Sequence, residues 1–385
     1  MSESKKLQHK GYTIAWISAL PHELSAAQCM LDEEHEALEV ANFDENTCTL
    51  GRIGKHNVVM AVLGAGAYGK VSAAVRAAQI KATFPNIRFG LVVGVGGGVP
   101  DEDHDVRLGD VVVSQPSNGF GGVIQYDLGK TGPGGHLTRN NQLNQPPDVI
   151  LTALAALKAK HIRKRKLEDL MGYHKKMVDE YDLKESEYQG AENDILYEAE
   201  YIHVKGQPTC ARCDKAHAIE RDPRPSTVPS IHYGNIASGD QVMKDGITRD
   251  RISNELGGVL CFEMEGAGLM NSFRSLNIRG ICDYCDSHKN KRWQSYAAAI
   301  AAAYAKDLLS VVPANKVVDE PTLSGSGTAT TTSEASEANH TSSGAPPKQS
   351  YGSRLWTGNL NSGGGPIIQG DQISGHDINF SWNNR

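Results

Sequence analysis

The chain has 385 residues, of which 39% are hydrophobic and 22% charged, with a formal net charge of -6. This length and composition allow a large buried core of ordinary globular type. The acidic balance argues against wholesale binding to nucleic acid or to an anionic membrane, and no run of about 18 apolar residues marks a membrane span.

Strand and helix patterns alternate from the start. TIAWIS (13–18) reads as a strand, 23–30 as a helix, and HNVVMAVLG (56–64) as a buried strand. An alanine-rich helix over 70–83 stops before Pro85, and FGLVVGV (89–95) is a further buried strand. DVVVSQ (110–115) and GGVIQYD (121–127) follow as strands. This alternation predicts an α/β fold, a mixed or parallel central sheet flanked by helices on both faces.

Residues 148–201 break the pattern with a long, charged helical stretch that includes HIRKRK (161–166). An insertion over about 158–228 is therefore expected on the domain's edge. The pattern resumes with IHYGNIASGD (231–240), a strand near Leu260, a helix over 266–276, a strand over 278–282 and a helix over 294–311. Residues 1–10 are expected to be a flexible N-terminus and 11–312 one folded domain. From 313 to 350 the chain is rich in Ser, Thr and Gly, which predicts a disordered linker. Residues 351–385 form a Gly/Asn-rich tail carrying Ile367, Ile368, Ile373, Ile378 and Phe380.

Three patterns suggest chemistry and fall short. GAGAYGK (64–70) approaches a phosphate-binding loop, but Val71 replaces the hydroxyl that would hold magnesium. GVGGGV (94–99) approaches a dinucleotide fingerprint, but Val99 replaces the third glycine. Cys210 and Cys213 form a single C-x-x-C near His203 and His217. Zinc needs four ligands at workable geometry, so the pair reads as ordinary reduced thiols and no metal is expected. Seven scattered cysteines and a polar start, MSESKKLQHK, with no apolar segment after it, predict a cytoplasmic protein.

Acidic residues stand where α/β sheets build sites, at strand ends. Glu23 follows the first strand, Glu265 lies between a strand and a helix, and Asp283 follows the strand that begins near Arg279. Singly, each could be a cap or a surface charge. Together with ISALPHE (17–23), GKVSAAV (69–75), VVGVGGGVP (92–100), RLGDVVVS (107–114), SGDQV (238–242), CFEMEGAG (261–268) and RGICDYCDSH (279–288), they resemble the purine nucleoside/uridine phosphorylase superfamily, motif by motif and in order. The resemblance is nearest to its nucleosidase-like branch. The longer phrases GGVIQYDLGKT, IASGDQVMKDG and RGICDYCDSHKNKRWQSYAAA resemble the domain fused to fungal NLR-type immune receptors.

The resemblance implies roles. Asp283 matches the aspartate that protonates N7 of a leaving purine while accepting from a 6-amino group, which suits adenine. General acid catalysis of this kind contributes roughly 10²–10⁴-fold. Glu23 and Arg279 match the pair that positions the attacking water. Glu265 matches the acceptor of the ribose hydroxyls, Met264 packs on the sugar, and Phe262, Glu263, Val242 and Met243 lie near the nucleoside. Gly94, Val95, Gly96 and Gly97 would let backbone approach the sugar. Related phosphorylases grip phosphate here with an arginine and a serine, whereas VVGVGGG carries no cation. That favours water as the nucleophile, although Val95 stands where nucleosidases commonly carry serine. Arg249, Arg251, His288 and Lys289 are cations near matched motifs that could meet a 5′-phosphate.

The expected activity is therefore a purine N-ribosyl hydrolase releasing adenine from adenosine or an adenine nucleotide such as ATP, with no cofactor, in an immune or cell-death setting. A phosphorylase using inorganic phosphate, and a non-catalytic ligand-binding adaptor, stand as alternatives. The resemblance also implies a homo-oligomer. The tail resembles short prion-like motifs that pair receptors with effectors, which makes an NLR-type receptor a candidate homotypic partner. Neither a nucleic-acid partner nor a membrane is expected.

Overall fold

Ile14–Ser18 is buried along its whole length and forms β1, as a strand covered by helices on both sides must be. The structure, a computed structural model, describes residues 6–133, 137–139, 141–164 and 167–325. After β1 come Pro21–Gln28 (α1), Glu33–Glu34 (β2), Cys48–Ile53 (β3), His56–Val62 (β4), Lys70–Thr83 (α2) and Phe89–Gly98 (β5). Val111–Ser114 (β6), Val123–Gln125 (β7), the ribbon Lys130–Thr131 (β8) with Leu137–Thr138 (β9), Asp148–Lys164 (α3) and Glu168–Tyr181 (α4) follow. The last part holds Ile231–Gly234 (β10), Ile236–Ser238 (β11), Gly246–Glu255 (α5), Cys261–Glu263 (β12) and Gly266–Leu269 (α6). Ser275–Asp283 (β13), Gln294–Val311 (α7) and Ala314–Asp319 (α8) complete it.

The main sheet runs β10-β6-β13-β5-β1-β4-β3-β2. Its centre, β4-β1-β5-β13, is parallel, while β13–β6, β3–β4 and β2–β3 are antiparallel. The end of β5 also pairs antiparallel with β12, which carries β11 and β7. The sheet is thus mixed, as the alternating pattern predicts. Side chains alternate between two cores. Ile14, Trp16, Val58 and Met60 join the face covered by α1, α3, α4 and α7. Ala15, Ile17, Val59 and Ala61 join the face covered by α2. This is the period-2 display of a strand with apolar layers on both sides.

Helix α7 is buried continuously from Tyr296 to Leu309. Its alanines permit close approach to the sheet. A Cβ on Gly280 of β13 would lie 1.9 Å from the Ala297 carbonyl oxygen. The two charges within this run are paired. Lys306 Nζ donates to the Met30 carbonyl (2.7 Å) and Asp32 (2.6 Å), and Asp307 accepts from Lys160 and His161, each at 2.8 Å.

Several expectations shift. The helix expected over 266–276 stops at Leu269, and β13 begins at Ser275. The turn between them drives Phe273 against Gly90, leaving no room for a Cβ there. The insertion is helical only to Tyr181. Asp182 then enters the left-handed region (φ 50°) and ends α4, and four short 3₁₀ turns follow before β10. The first part of the linker expected from 313 is folded. Val317 and Leu323 are buried, and the Leu323 N–H donates to the Ile87 carbonyl at 2.8 Å. The N-terminus is ordered from a short turn at His9–Gly11, with the His9 ring 5.4 Å from that of Phe84. The remainder of the expected linker and the whole 351–385 tail lie outside the described residues. Among the described residues no helix is long and apolar enough to cross a membrane.

Two glycines test this packing from opposite sides. Gly280→Ala should destabilise the domain by about 1–3 kcal/mol or more through overpacking against α7. Gly172→Ala, inside α4 with nothing within 4 Å of the new methyl, should stabilise by about 0.5–1 kcal/mol. Urea midpoints of the two variants read both effects, and equal midpoints would contradict the packing described.

Candidate active site

The sheet registers gather the strand-end residues. Arg279 of β13 pairs with Gly94 of β5, Asp283 with Gly97, and Phe262 of β12 also with Gly97. At the carboxyl ends of β1, β5 and β13 these positions surround a cleft of about 190 Å³. Its walls include Glu23, Val95, Gly96, Gly97, Val242, Met243, Phe262, Glu263, Met264, Glu265, Arg279 and Lys289. A larger concavity of about 1110 Å³ lies between α3, α4 and residues 224–233. None of the strand-end carboxylates lines it, so the smaller cleft is the candidate site.

Glu23 is fixed before any ligand arrives. Leu20, the residue before α1, has no side-chain acceptor for the helix's free N–H groups. Glu23 turns back instead: its Oε2 accepts from the N–H groups of Ala19 (2.7 Å) and Leu20 (2.9 Å), and its Oε1 from Val95 N–H (2.7 Å). A carboxylate offers about four acceptor positions, so one is left for a donor in the cleft.

Arg279 is buried at 1% exposure. Its Nη2 donates to Glu263 and, at 3.3 Å, to Glu265, and its Nη1 donates to the Val95 carbonyl at 3.4 Å. Burial works against the guanidinium charge, but Glu263, Glu265 and Glu23 outweigh it and hold the proton more firmly than usual. Glu263 also accepts from the N–H groups of Glu265 (3.0 Å) and Gly266, which shapes the turn out of β12. Glu265 receives a weaker bond from Gly69 N–H at the start of α2 (3.3 Å). Burial pushes its carboxyl up; Arg279 pulls it down, and Glu263 and Glu23 push it up again, to about 7.

Asp283 is buried beside this cleft without lining it. Its Oδ1 accepts from Cys285 N–H at 3.0 Å, and its Oδ2 lies 2.7 Å from Lys289 Nζ and 3.1 Å from the Cys282 thiol. Asp283 lines a second cavity of about 230 Å³, while Lys289 and Cys285 line the first cleft and Cys282 lines both. Burial works against the Lys289 charge, but Asp283 outweighs it and keeps the ammonium protonated. Of the four cations expected near a 5′-phosphate, Lys289 alone lines the cleft. Arg249 is buried and bonded to the Tyr284 carbonyl (2.7 Å) and Asp250. Arg251 is paired with Glu255 at 2.8 Å, and His288 is buried against Tyr197, ring centroids 4.1 Å apart.

The glycine run makes room for protein groups. A Cβ at Gly94 would meet Glu23 Oε1 at 2.4 Å, one at Gly96 the Cys261 sulfur at 2.4 Å, and one at Gly97 the Cys285 sulfur at 2.1 Å. Close backbone approach, expected to serve the sugar, first serves the side chains that build the cleft. Sequence reasoning missed Tyr68, Gln241, Cys282 and Cys285 in the wall. It also missed Asn277, fully buried two residues before Arg279, whose amide has no hydrogen-bond partner among the described residues. The spacing of Asn277 and Arg279 on one strand face was the available signal.

The phosphorylase superfamily profile matches residues 13–312. An NLR-like protein of Hyaloscypha variabilis is 46% identical over 302 residues, covering 78% of this chain and 29% of that protein. The chain thus corresponds to under a third of that relative's length. A 5′-methylthioadenosine/S-adenosylhomocysteine nucleosidase of Mycobacterium bovis is 25% identical over 309 residues, covering 78% of this chain and 97% of the enzyme. Among solved structures, the nucleosidase of Colwellia psychrerythraea in complex with adenine superposes with a TM-score of 0.51 at 18% identity, over 80% of this chain and 98% of that one. The last likeness speaks for the fold alone. With the profile spanning nearly the whole ordered domain, the chain belongs to the phosphorylase superfamily.

Proposed function

We propose that the chain is a purine N-ribosyl hydrolase that releases adenine from adenosine or an adenine nucleotide. The observation that carries this reading is how the cations of the cleft are spent. Among the described residues that line it, Arg279 is bonded to Glu263 and Glu265, and Lys289 to Asp283. Among the described residues no unpaired arginine lines the cleft at the end of β5 to grip inorganic phosphate. Water is the nucleophile that such a site accommodates. The mycobacterial relative, named as a nucleosidase, supports the same class.

In this reading the base lies against Phe262, Val242 and Met243, with Met264 on the sugar. Glu265 accepts the ribose hydroxyls. Glu23 uses its remaining acceptor position to hold water, and Arg279 keeps Glu265 and Glu263 in place. Asp283 gives a proton to N7 as the C1′–N9 bond breaks. The bond's electron pair leaves with adenine, and an oxocarbenium-like ribosyl group remains. Water adds to C1′, and its proton passes to Glu23. The proton reaches Asp283 from solvent, and Lys289, 2.7 Å from its Oδ2, orients the carboxyl. The resemblance to the longer NLR-like protein supports a role as an effector that depletes adenine nucleosides or nucleotides.

Asp283→Asn should cut base release by roughly 10²–10⁴-fold with the thermal midpoint retained. Wild-type turnover in a folded variant would remove Asp283 from the reaction. The products from adenosine, methylthioadenosine, ATP and inosine, with and without inorganic phosphate, test the class. Free ribose or ribose phosphate with no need for added phosphate is expected. Strict dependence on phosphate with formation of ribose 1-phosphate would establish a phosphorylase instead. Lys289→Met separates two roles: a general fall in kcat fits orientation of Asp283, and a rise in KM confined to ATP fits a 5′-phosphate contact.

The Glu265 carboxyl, held near 7, predicts a pH profile. Only its ionised form accepts both ribose hydroxyls. On the acid side kcat/KM should therefore climb as pH rises, levelling above about 7, and Glu265→Gln should lose that limb along with most activity. An acid limb that is unchanged in Glu265→Gln would assign the titration to another group.

A further inference from the structure

Between the end of α4 and β10 the chain has no helix or strand, only four 3₁₀ turns and the single bridge Tyr197–Ala218. Such a segment buries little regular backbone and needs some other staple. Within it, His203, Cys210 and Cys213 converge, with their ligand atoms all within 4.8 Å of one another. His217, the other histidine near the C-x-x-C, does not join them. It stacks on Tyr201 and bonds Glu198 at 2.8 Å.

We propose that His203, Cys210 and Cys213 bind a zinc ion, with His288 as the fourth ligand and Asp286 behind it. Tetrahedral zinc, with bonds of roughly 2.0–2.3 Å, sets its ligand atoms about 3.3–3.8 Å apart. Three atoms within 4.8 Å need only a modest contraction to reach that geometry. Each thiol loses its proton to solvent on binding, and two thiolates neutralise the ion. The two neighbouring residues supply the independent sign. His288 is 6% exposed, yet neither ring nitrogen has a hydrogen-bond partner, and Asp286 Oδ2 is likewise buried and unpartnered. They lie 3.6 Å apart, Nδ1 to Oδ2, the start of the carboxylate–histidine–metal arrangement that fixes a ligating imidazole. The His288 and His203 rings are 5.4 Å apart, and Cys210, Asp286 and His288 line one cavity. The two segments are already joined by the His203 N–H, which donates to Ser287 Oγ at 2.9 Å.

The metal would clamp the insertion to the loop that runs from Asp283 to Lys289. It is a positioning element next to the proposed chemistry and takes no part in a bond change. Its assignment rests on metal content and spectra, which are independent of whether the cleft releases adenine.

The test uses the full chain purified from zinc-supplemented cells. Elemental analysis should find about one zinc per chain, lost in Cys210→Ser/Cys213→Ser and lowered in His203→Gln. Chelation should lower the thermal midpoint, and added zinc should restore it. Cobalt exchanged into the site should give intense tetrahedral ligand-field bands with thiolate charge transfer, altered by His288→Gln and untouched by Cys48→Ser. Wild-type protein that carries no zinc and takes up none when it is added overturns the site, whatever the variants do. A cobalt spectrum unchanged in His288→Gln overturns the clamp to the 283–289 loop.

Discussion

Arg279 placed between Glu263 and Glu265 is the contact on which the cleft depends. A guanidinium buried at the centre of a sheet is tolerable only when its hydrogen-bond donors meet charge of opposite sign. Its planar fork can reach two carboxylates and a carbonyl at once, which an ammonium cannot do with the same fixed geometry. Three carboxylates face one cation, however. Burial, and then the surplus negative charge, leaves Glu265 holding its proton more firmly than an exposed glutamate. The same group of residues that folds the turn after β12 therefore sets the protonation of the group proposed to meet the sugar.

Room for that cluster comes from the backbone opposite. β5 ends in glycines because Glu23, Cys261, Cys285 and Asp283 crowd its surface. The parallel register with β13 sets which glycine meets which side chain, Gly94 beside Arg279 and Gly97 beside Asp283. A strand with side chains at these positions would displace Glu23 from Val95 and Cys285 from the aspartate. The cleft is thus a product of strand pairing as much as of its polar groups.

Much of this was legible in the chain. Lys70–Thr83 and Gln294–Val311 were read with their observed bounds, because an alanine-rich run between clear stops leaves little choice. β1, β4 and β5 were evident as apolar runs between glycines and polar turns. β3, Cys48–Ile53, was not read at all. Its sequence, CTLGRI, has neither an apolar run nor clean alternation, and it becomes a strand by pairing with β4 from His56 to Ala61. Glu23, Glu265, Arg279 and Asp283 stood out because strand ends collect chemistry. What each carboxylate touches did not, since those contacts join residues as much as 196 positions apart. The histidine that joins Cys210 and Cys213 was equally hidden, because nothing local distinguishes His203 from His217.

The last described residues have a mechanical consequence. Leu323 bonds Ile87, and Arg88 bonds Glu320, at the residues just before β5 begins. The cleft lies at the other end of that strand, ten residues further on, or roughly 33 Å at an extended rise. Strain on the Leu323–Ile87 contact would therefore enter β5 at its start and reach the cleft only along the length of that strand.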